Sequence, residues 1–301
     1  MDSPTRLVDT IPRTLRSQYS LAAAALASAI AIAPHTVRAQ AEHADLSDYA
    51  LASPVHDWRI SNRLKEISGL AMSSDNRLFA HDDERAVIYE IDYNAGNLVK
   101  AFALGDRPAV GDFEGIAIVD TTFYLVTSEG RIYETTEGAD GDHRLYNTYG
   151  TGIGRSCEVE GLAFEPADRT LLLACKTPRT PALEDWVTIF RWSIDTRSMA
   201  QDSMLQISLR SVLDRIGTNR FRPSGIERHP ISGHYLIIAA QQRAIIEISK
   251  TGTLLAHHRF HGNRREHIEG IAFSSRGDLF LAAESGGKGH GELAIFAAAQ
   301  N

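Results

Sequence analysis

One short pattern recurs five times along this chain and constrains its fold more than any other feature. Each copy is a short apolar run containing a glycine that follows an acid or a hydroxyl residue, as in Glu114-Gly115-Ile116-Ala117. The repeated glycines are Gly69, Gly115, Gly161, Gly225 and Gly270, at steps of 46, 46, 64 and 45 residues. A period of this length, with one insertion in the third unit, is typical of a four-stranded propeller blade.

Every repeat continues with short β-branched and aromatic runs separated by polar turns, which is the pattern of consecutive hairpins. Second strands are predicted near positions 78, 124, 171, 235 and 279, and third strands near 87, 131, 187, 245 and 293. Fourth strands are predicted over 98–104, 204–209 and 254–260. The sequence signal for a fourth strand is weakest near Tyr146. Outside the N-terminal leader, helical periodicity is confined to residues 211–216. The sequence therefore predicts an all-β fold, a five-bladed β-propeller over residues 55–298.

Closing such a ring requires one strand from the other end of the chain. The last repeat ends at Phe296 without a fourth strand, whereas residues 55–60 have the pattern of an isolated strand ahead of the first repeat. We expect this N-terminal strand to become the outer strand of the fifth blade, because a closed ring leaves only short edges exposed. A loose N-terminal arm is the alternative.

The N-terminus has the pattern of a secretory signal. Three arginines precede an Ala-rich apolar run over 21–33, and small residues follow it, so residues 1–41 are predicted to be a signal peptide cleaved after Ala39 or Ala41. Residues 42–54 would form a linker. The protein is then expected to be periplasmic or secreted. The run is short for a membrane span, so an uncleaved anchor in the plasma membrane, the only membrane contact expected, is the alternative.

The charge of the chain argues against one class of partner. The whole chain has 31 Lys and Arg against 38 Asp and Glu, a net charge of −7. Loss of residues 1–39 removes four arginines and two aspartates and leaves −9. Nucleic acids are bound through cationic contacts to phosphate, so an acidic chain of this kind is not expected to bind them.

The repeat also predicts where acidic side chains meet. The first strand of each blade lines the channel of a propeller, so the acids at its start should converge at one mouth: Glu66, Glu114, Glu160 and Glu269, with Ser224 in the fourth blade. The returning second strands should bring further side chains to that mouth: Asp83 or Glu84, Glu129, Lys176, Gln241 and Glu284. Lys176 would be a built-in counter-charge.

Carboxylates that face one another across a narrow axis repel strongly unless a cation or protons intervene. Ligands that are oxygen only, without Cys or His, fit Ca²⁺ better than Zn²⁺. The sequence thus predicts a Ca²⁺ site built from Glu66, Glu114, Glu160, Glu269, Glu129 and Glu284. The alternative is that these glutamates only cap strand ends. Glu165 is placed beyond the strand, in a hairpin turn.

Arginine recurs just before the predicted channel strands, at Arg63, Arg107, Arg155, Arg222, Arg264 and Arg265. Because 26 of the 31 basic residues are arginines, chance placement is the alternative. If the pattern is real, guanidinium groups surround the mouth and a phosphate could lie between metal and arginine. The predicted ligand-binding residues are Arg63, Arg155, Arg222, Lys176, Ser224 and Gln241.

The two cysteines flank the hairpin of the third repeat. In an exported protein Cys157 and Cys175 could pair. If Phe164 faces Leu171 across the turn, however, Cys175 faces Glu160, three residues from Cys157. That offset makes a relaxed disulfide doubtful.

Several of these runs together resemble a known family. They are Glu-Ile-Ser-Gly-Leu-Ala, Leu-Phe-Ala-His-Asp-Asp-Glu before Val-Ile-Tyr-Glu-Ile-Asp, Asp-Phe-Glu-Gly-Ile-Ala, and Tyr-Leu-Val-Thr-Ser-Glu-Gly-Arg-Ile-Tyr-Glu. The chain resembles the SdiA-regulated family of bacterial envelope proteins over about residues 55–298. The resemblance implies a five-bladed propeller with a bound calcium ion in an exported or membrane-tethered protein. The calcium site would fall most securely on Glu114, Glu160 and Glu269, while Ser224 and Lys176 stand where acids are expected.

Two hypotheses from different classes follow. In the first, the chain is a non-catalytic calcium-binding propeller whose mouth binds a small molecule or an envelope protein. In the second, it is a calcium-dependent, phytase-like phosphoesterase, a metal-dependent enzyme with acids and arginines at one mouth. No Gly-x-Ser-x-Gly nucleophile motif is present. The sequence alone does not decide whether the protein is an enzyme.

Overall fold

The computed structural model describes residues 45–261, 267–284 and 289–299. The predicted signal peptide, Arg264 and Arg265 lie outside these ranges. Within them, no helix is both long enough and apolar enough to cross a membrane.

Five small antiparallel sheets form the blades of a β-propeller. The strands in chain order are β1 (His56–Ile60), β2 (Ile67–Met72), β3 (Leu78–Asp82), β4 (Val87–Asp92), β5 (Asn97–Leu104), β6 (Phe113–Val119), β7 (Thr122–Thr127), β8 (Arg131–Thr136), β9 (His143–Arg144), β10 (Tyr146–Gly150), β11 (Cys157–Glu165), β12 (Thr170–Pro178), β13 (Trp186–Ser193), β14 (Ser198–Ser208), β15 (Gly225–Arg228), β16 (Tyr235–Ala239), β17 (Ala244–Ile248), β18 (Leu254–Arg259), β19 (His267–Phe273), β20 (Leu279–Glu284) and β21 (Gly291–Phe296).

The blades follow the chain in order. Blade one is β2 to β5, blade two is β6, β7, β8 and β10, blade three is β11 to β14, and blade four is β15 to β18. The short strand β9 adds to the edge of blade one, parallel to β5. The prediction of five four-stranded repeats is confirmed, including the strand near Tyr146 that had the weakest signal.

The fifth blade is closed by the N-terminal strand, as predicted. Its order is β1, β21, β20 and β19, and β1 pairs antiparallel with β21 from His56 opposite Ile295 to Ile60 opposite Gly291. The backbone N–H of Val55 extends the ladder by donating to the carbonyl of Ile295 over 2.8 Å. Pairing of the first and last strands therefore closes the ring of blades.

The core lies between neighbouring blades rather than in one central mass. The apolar side chains of each sheet pack on the sheet beside it, for example Leu172 and Ile189 of blade three against Ile226 and Ile246 of blade four. Each sheet thereby buries both of its faces, and this is why the strands read as nearly continuous apolar runs.

The insertion in the third repeat forms helix α1 (Leu209–Ile216), between blades three and four. Ser208 caps its N-terminus by accepting from the backbone N–H of Ser211, and Gly217 ends it in the left-handed conformation. Val212 and Ile216 are buried against the blade core. The remaining helical segments are single 3₁₀ turns at Asp45–Asp48, Asn62–Leu64, Ile153–Arg155, Pro181–Leu183 and Ala240–Gln242.

The N-terminal segment ahead of β1 packs on the propeller. Leu46, Tyr49 and Leu51 are buried in the cluster that joins blades four and five, beside Phe260 and Phe273. Residues 45–51, which were expected to belong to a linker, therefore contribute to the core.

Cys157 and Cys175 form a disulfide, with their Cα atoms 5.8 Å apart, so the doubt that these two cysteines pair was wrong. Phe164 does pair with Leu171, but the register shifts before Leu162 and again next to Val159. Cys175 consequently pairs with Val159 instead of Glu160, which brings it diagonally next to Cys157. Bulges that the sequence pattern did not reveal caused the error.

Candidate functional site

The five repeat glycines form the floor of the channel mouth. Adjacent inner strands approach so closely that a Cβ on Gly115 would lie 2.6 Å from the backbone N of Leu162, and one on Gly161 would lie 2.9 Å from the Cα of Gly225. Only glycine permits this approach of two backbones. The cavity left among the glycines is about 10 Å³, about the size of one water probe. The mouth above them is therefore a cup with a nearly closed floor.

A β-bulge precedes the glycine in four of the five blades. In blade two, for example, Phe113 pairs with Thr127 and Gly115 pairs with the next residue, Val126, so Glu114 is an extra residue in the ladder. Equivalent register shifts occur in blades one, three and five. A bulge interrupts the in-and-out alternation of a strand and re-aims a side chain.

The residue before each glycine therefore belongs to one structural position, which we call the lower tier of the cup: Ser68, Glu114, Glu160, Ser224 and Glu269. Three of its members, Ser68, Glu114 and Glu269, line the small cavity at the glycine floor. In blade one this position is Ser68, not Glu66, because Glu66 lies three residues before its glycine. The lower tier thus contains three carboxylates and two hydroxyl groups.

The residues two positions earlier in the sequence, which we call the upper tier by their register in the repeat, are Glu66, Asp112, Glu158, Arg222 and His267. Asp112 adds to the negative charge that acts on both Glu114 and Glu160, so the two tiers are electrostatically connected. Sequence reasoning missed Asp112 and Glu158 as site residues. The signal was present as a repeated acid-x-acid-Gly spacing in the second and third repeats.

The lower-tier glutamates are removed from water and repel one another. Glu114 is 9% exposed and Glu160 only 3%. Burial, followed by the charge of Glu160, raises the pKa of Glu114 to about 9. Burial, followed by the charges of Glu284 and Glu160, raises the pKa of Glu269 to about 8. Both glutamates thus retain protons at pH values where a free carboxyl is ionised.

Lys176 enters the cup from β12 and provides the counter-charge that the sequence suggested. Its ammonium group contacts Oε2 of Glu160 and lies 3.7 Å from Oε1 of Glu158. Burial still dominates at Glu160 and raises its pKa to about 7, although Lys176 lowers it. Burial lowers the pKa of Lys176, but the charge and hydrogen bond of Glu160 and the charges of Glu114 and Glu158 together raise this pKa above its ordinary value. The lysine therefore stays charged beside the ring.

A second acidic group lies on the blade one and blade five side of the cup. Burial, followed by the charge of Glu66, raises the pKa of Asp83 to about 6. Burial also raises the pKa of Glu284, and Glu66 adds to that effect. Glu66 itself is 39% exposed and forms an ion pair of 3.1 Å with Lys65. Among the described residues, Oδ1 of Asp83 is buried and has no hydrogen-bond partner, so this acceptor is unsatisfied.

Three predicted site residues have other contacts. The side chain of Glu129 is 65% exposed and forms an ion pair of 2.8 Å with Arg179. The hydroxyl of Ser224 donates to the carbonyl of Ile268 and accepts from the backbone N–H of Ala240, so it connects blades four and five. Gln241 is exposed in a 3₁₀ turn.

The predicted arginines do not all lie together. The guanidinium of Arg63 lies over the ring of Tyr89, 5.1 Å from its centroid. Arg155 is exposed at the end of its 3₁₀ turn. Arg222 belongs to the upper tier, and its backbone N–H donates to the side chain of Gln242. Of the three, only Arg222 shares the repeat register of the upper tier.

The donor set of the cup consists of carboxylate and hydroxyl oxygens, which suits a hard cation. Over the described ranges, only one group of three His, Cys, Asp or Glu side chains has all its ligand atoms within 4.8 Å of one another, and it consists of Asp45, His234 and Glu247, outside the cup. The cup glutamates are thus more widely spaced than a compact three-carboxylate cage. Repulsion among the cup glutamates and the unsatisfied Oδ1 of Asp83 would both be relieved by a cation. Because the carboxylates are widely spaced, such a cation would keep some water among its ligands.

Fold and site together define a five-bladed propeller with one acidic, closed-floor cup. The sequence matches the SdiA-regulated family over residues 45–286, and the chain belongs to that family. No curated protein gives a significant match.

Solved structures agree on the architecture. Glutaminyl cyclase from Myxococcus xanthus is similar with a TM-score of 0.55 and 15% identity, over 81% of this chain and 95% of that chain. A luciferin-regenerating enzyme is similar with a TM-score of 0.51 and 10% identity, over 82% and 96%. At these identities the likeness concerns the fold alone.

Proposed function

We propose that this protein is an exported calcium-binding propeller that acts by binding a small molecule or an envelope protein at the cup. The observation that carries the proposal is the lower tier, in which Glu114, Glu160 and Glu269 are largely removed from water and share the single ammonium group of Lys176. A divalent cation would offset the repulsion among these three carboxylates that a single lysine does not neutralise.

Calcium is the cation that this donor set favours. The lower-tier glutamates, together with Asp83, would hold the ion. Ca²⁺ accepts six to eight oxygen ligands in flexible geometry and tolerates water among them, whereas Mg²⁺ demands a near-ideal octahedron. A cup whose carboxylates are spread around a channel fits the first ion better. When bound, the ion would supply positive charge to an anionic or oxygen-rich ligand above the floor.

An exported location is supported by two observations. The pattern of residues 1–41 is that of a signal peptide. The Cys157–Cys175 disulfide is the kind of bond that persists in an oxidising compartment such as the periplasm. The acidic charge of the chain also agrees with the expectation that it does not bind nucleic acid.

A calcium-dependent phosphoesterase is the second candidate. The repeat register of Arg222 favours it, since a guanidinium beside a cation-loaded cup would be a phosphate-binding arrangement. Turnover of phosphomonoesters or inositol phosphates by the pure protein with calcium, lost in chelator, would establish this activity in place of the binding role.

A calcium titration followed by thermal unfolding tests the proposal. Calcium at a hundredfold excess over its dissociation constant stabilises the folded state by about 2.7 kcal/mol. Glu114→Gln is the most informative variant because Glu114, unlike Glu160, has no lysine that would be left unpaired. It should start from an equal or higher melting temperature without calcium and show a smaller calcium-induced rise.

Glu184→Gln is the matched control, because Glu184 is exposed at the end of a 3₁₀ turn outside the cup. It should keep the full calcium-induced rise. Equal calcium responses of the two variants would mean that the lower-tier glutamates only cap strand ends.

A further inference from the structure

A second cluster of ligating side chains lies where the N-terminal segment crosses blade four. Asp45 begins the 3₁₀ turn of that segment, His234 immediately precedes β16, and Glu247 belongs to β17. The segment and the blade are thus joined by residues about 200 positions apart in the chain. None of the three belongs to the cup.

The three side chains converge on one point. Nδ1 of His234 lies 2.7 Å from Oε1 of Glu247 and 3.3 Å from Oδ2 of Asp45. All three ligand atoms lie within 4.8 Å of one another. Glu247 is fully buried, His234 is 7% exposed and Asp45 is 9% exposed. The cluster is therefore a closed site inside the protein and not a surface group of acids.

The charge of the cluster is not balanced by lysine or arginine. In the described part of the chain, the ion pairs of Asp45 and Glu247 are all with imidazoles, those of His229 and His234. Two buried carboxylates that have only imidazoles as ion-pair partners form an acidic site, and buried charges are ordinarily paired or bound to a metal.

Hydrogen bonds from surrounding groups fix the orientation of the two carboxylates. Glu247 accepts from the backbone N–H groups of Asp45 at 2.9 Å and of Leu46 at 2.7 Å. Asp45 accepts from the hydroxyl of Ser232, and Nδ1 of His229 lies 3.2 Å from the same carboxylate oxygen. Outer partners of this kind are what hold metal ligands in place.

We propose that Asp45, His234 and Glu247 form a site for a divalent transition metal such as Zn²⁺, which fastens the N-terminal segment to blade four. Imidazole nitrogen and carboxylate oxygen are both ligands that zinc binds in proteins, whereas calcium takes oxygen ligands. The site is independent of the cup in both ligands and metal preference.

Zinc binding to the full mature chain tests the proposal. After chelator treatment and its removal, the wild-type protein should take up one equivalent of Zn²⁺ in calorimetric titration and melt at a higher temperature. Backbone amides of residues 45–51 should then exchange more slowly with deuterium, because the metal holds the segment down. A wild-type protein that neither binds zinc nor melts later with it would overturn the proposal, and this measurement needs no variant.

Variants separate this site from other histidines and from the cup. His234→Gln should weaken zinc binding at least tenfold, while its calcium response is unchanged. His257→Gln, which alters an exposed histidine of β18, is the matched control and should bind zinc as the wild type does. Zinc affinity that is unaffected by His234→Gln would show that the three side chains are only a hydrogen-bonded latch.

Discussion

Lys176 and Glu160 form an ion pair inside the cup, in the tier that also contains Glu114 and Glu269. The lysine comes from the second strand of blade three and the glutamate from the first strand of the same blade. One ammonium group is therefore the built-in partner of Glu160 and also reduces the proton affinity of Glu114 and Glu269. This pair determines how much negative charge remains for a cation to neutralise.

Replacing Lys176 by Met should destabilise the calcium-free protein at pH 8. Loss of the ammonium leaves Glu160 buried without its counter-charge, which costs about 1–3 kcal/mol because the lysine side chain of the pair is itself 25% exposed. Added calcium should narrow the difference from wild type, since the ion takes over the role of the lysine. Urea unfolding with and without calcium measures both effects, with Lys250→Met as an exposed control. If calcium leaves the stability difference between Lys176→Met and wild type unchanged, the ion does not bind beside Glu160.

The stability of the calcium-free protein should fall as the pH rises from about 5 to about 9. The pKa values of Glu160, Glu269 and Glu114 are raised to about 7, 8 and 9, so the folded state holds more protons than the unfolded chain across this range. Stability falls with pH wherever the folded state binds more protons. Thermal unfolding in a pH series measures the slope, which Glu114→Gln should reduce.

Calcium should raise the melting temperature more at pH 8.5 than at pH 5.5. The cation competes with the protons retained by these carboxyls, and metal binding to them releases protons. A calcium-induced rise that is independent of pH would show that the ion does not displace these protons.

Gly115→Ala should destabilise the propeller by about 1–3 kcal/mol, the usual cost of inserting a methyl group into packed structure. Its new Cβ would lie 2.6 Å from the backbone N of Leu162, and backbone cannot move aside as a flexible side chain can. Gly150→Ala is the matched control, since a Cβ at that position has no neighbour within 4 Å. Chemical denaturation of both variants provides the comparison, and equal stabilities would mean that the inner strands are loosely packed.

The same glycines explain why the sequence was sufficient for the fold. Each blade must bring its inner strand against the next one, so the glycine recurs at the period of the blade and is visible without any structure. The bulge beside it is not visible, because it adds one residue without changing the apolar pattern. Glu66 was consequently aligned with Glu114 although Ser68 occupies that position. Glu165, expected in a turn, instead ends β11 and accepts from the hydroxyl of Tyr235.

Contacts over long sequence separation could not be predicted from local pattern. Asp45 and Glu247 are brought together only by the path of the N-terminal segment over blade four. The closing strand is an exception, since the missing fourth strand of the last repeat indicated that residues 55–60 fill that place.

Deleting residues 42–62 should lower the melting temperature strongly, because it removes β1 and the buried side chains of Leu46 and Tyr49. Melting that matches the full mature chain would refute closure by β1. A point substitution tests the same strand. Ile60→Ala truncates a buried side chain and should lower the free energy of unfolding by about 2–5 kcal/mol. Val55→Ala, at a position that is 56% exposed, should be nearly neutral.

β1 pairs with β21, so the first strand of the propeller has no partner until the last strand has been synthesised. Every other blade can form from consecutive hairpins, whereas the fifth has an open edge until the chain is finished. A chain that stops before β21 lacks the partner of β1 and cannot complete the ring, however well its first four blades have formed. The joint therefore makes closure of the ring depend on the presence of β21, so it distinguishes chains that contain this strand from chains that lack it.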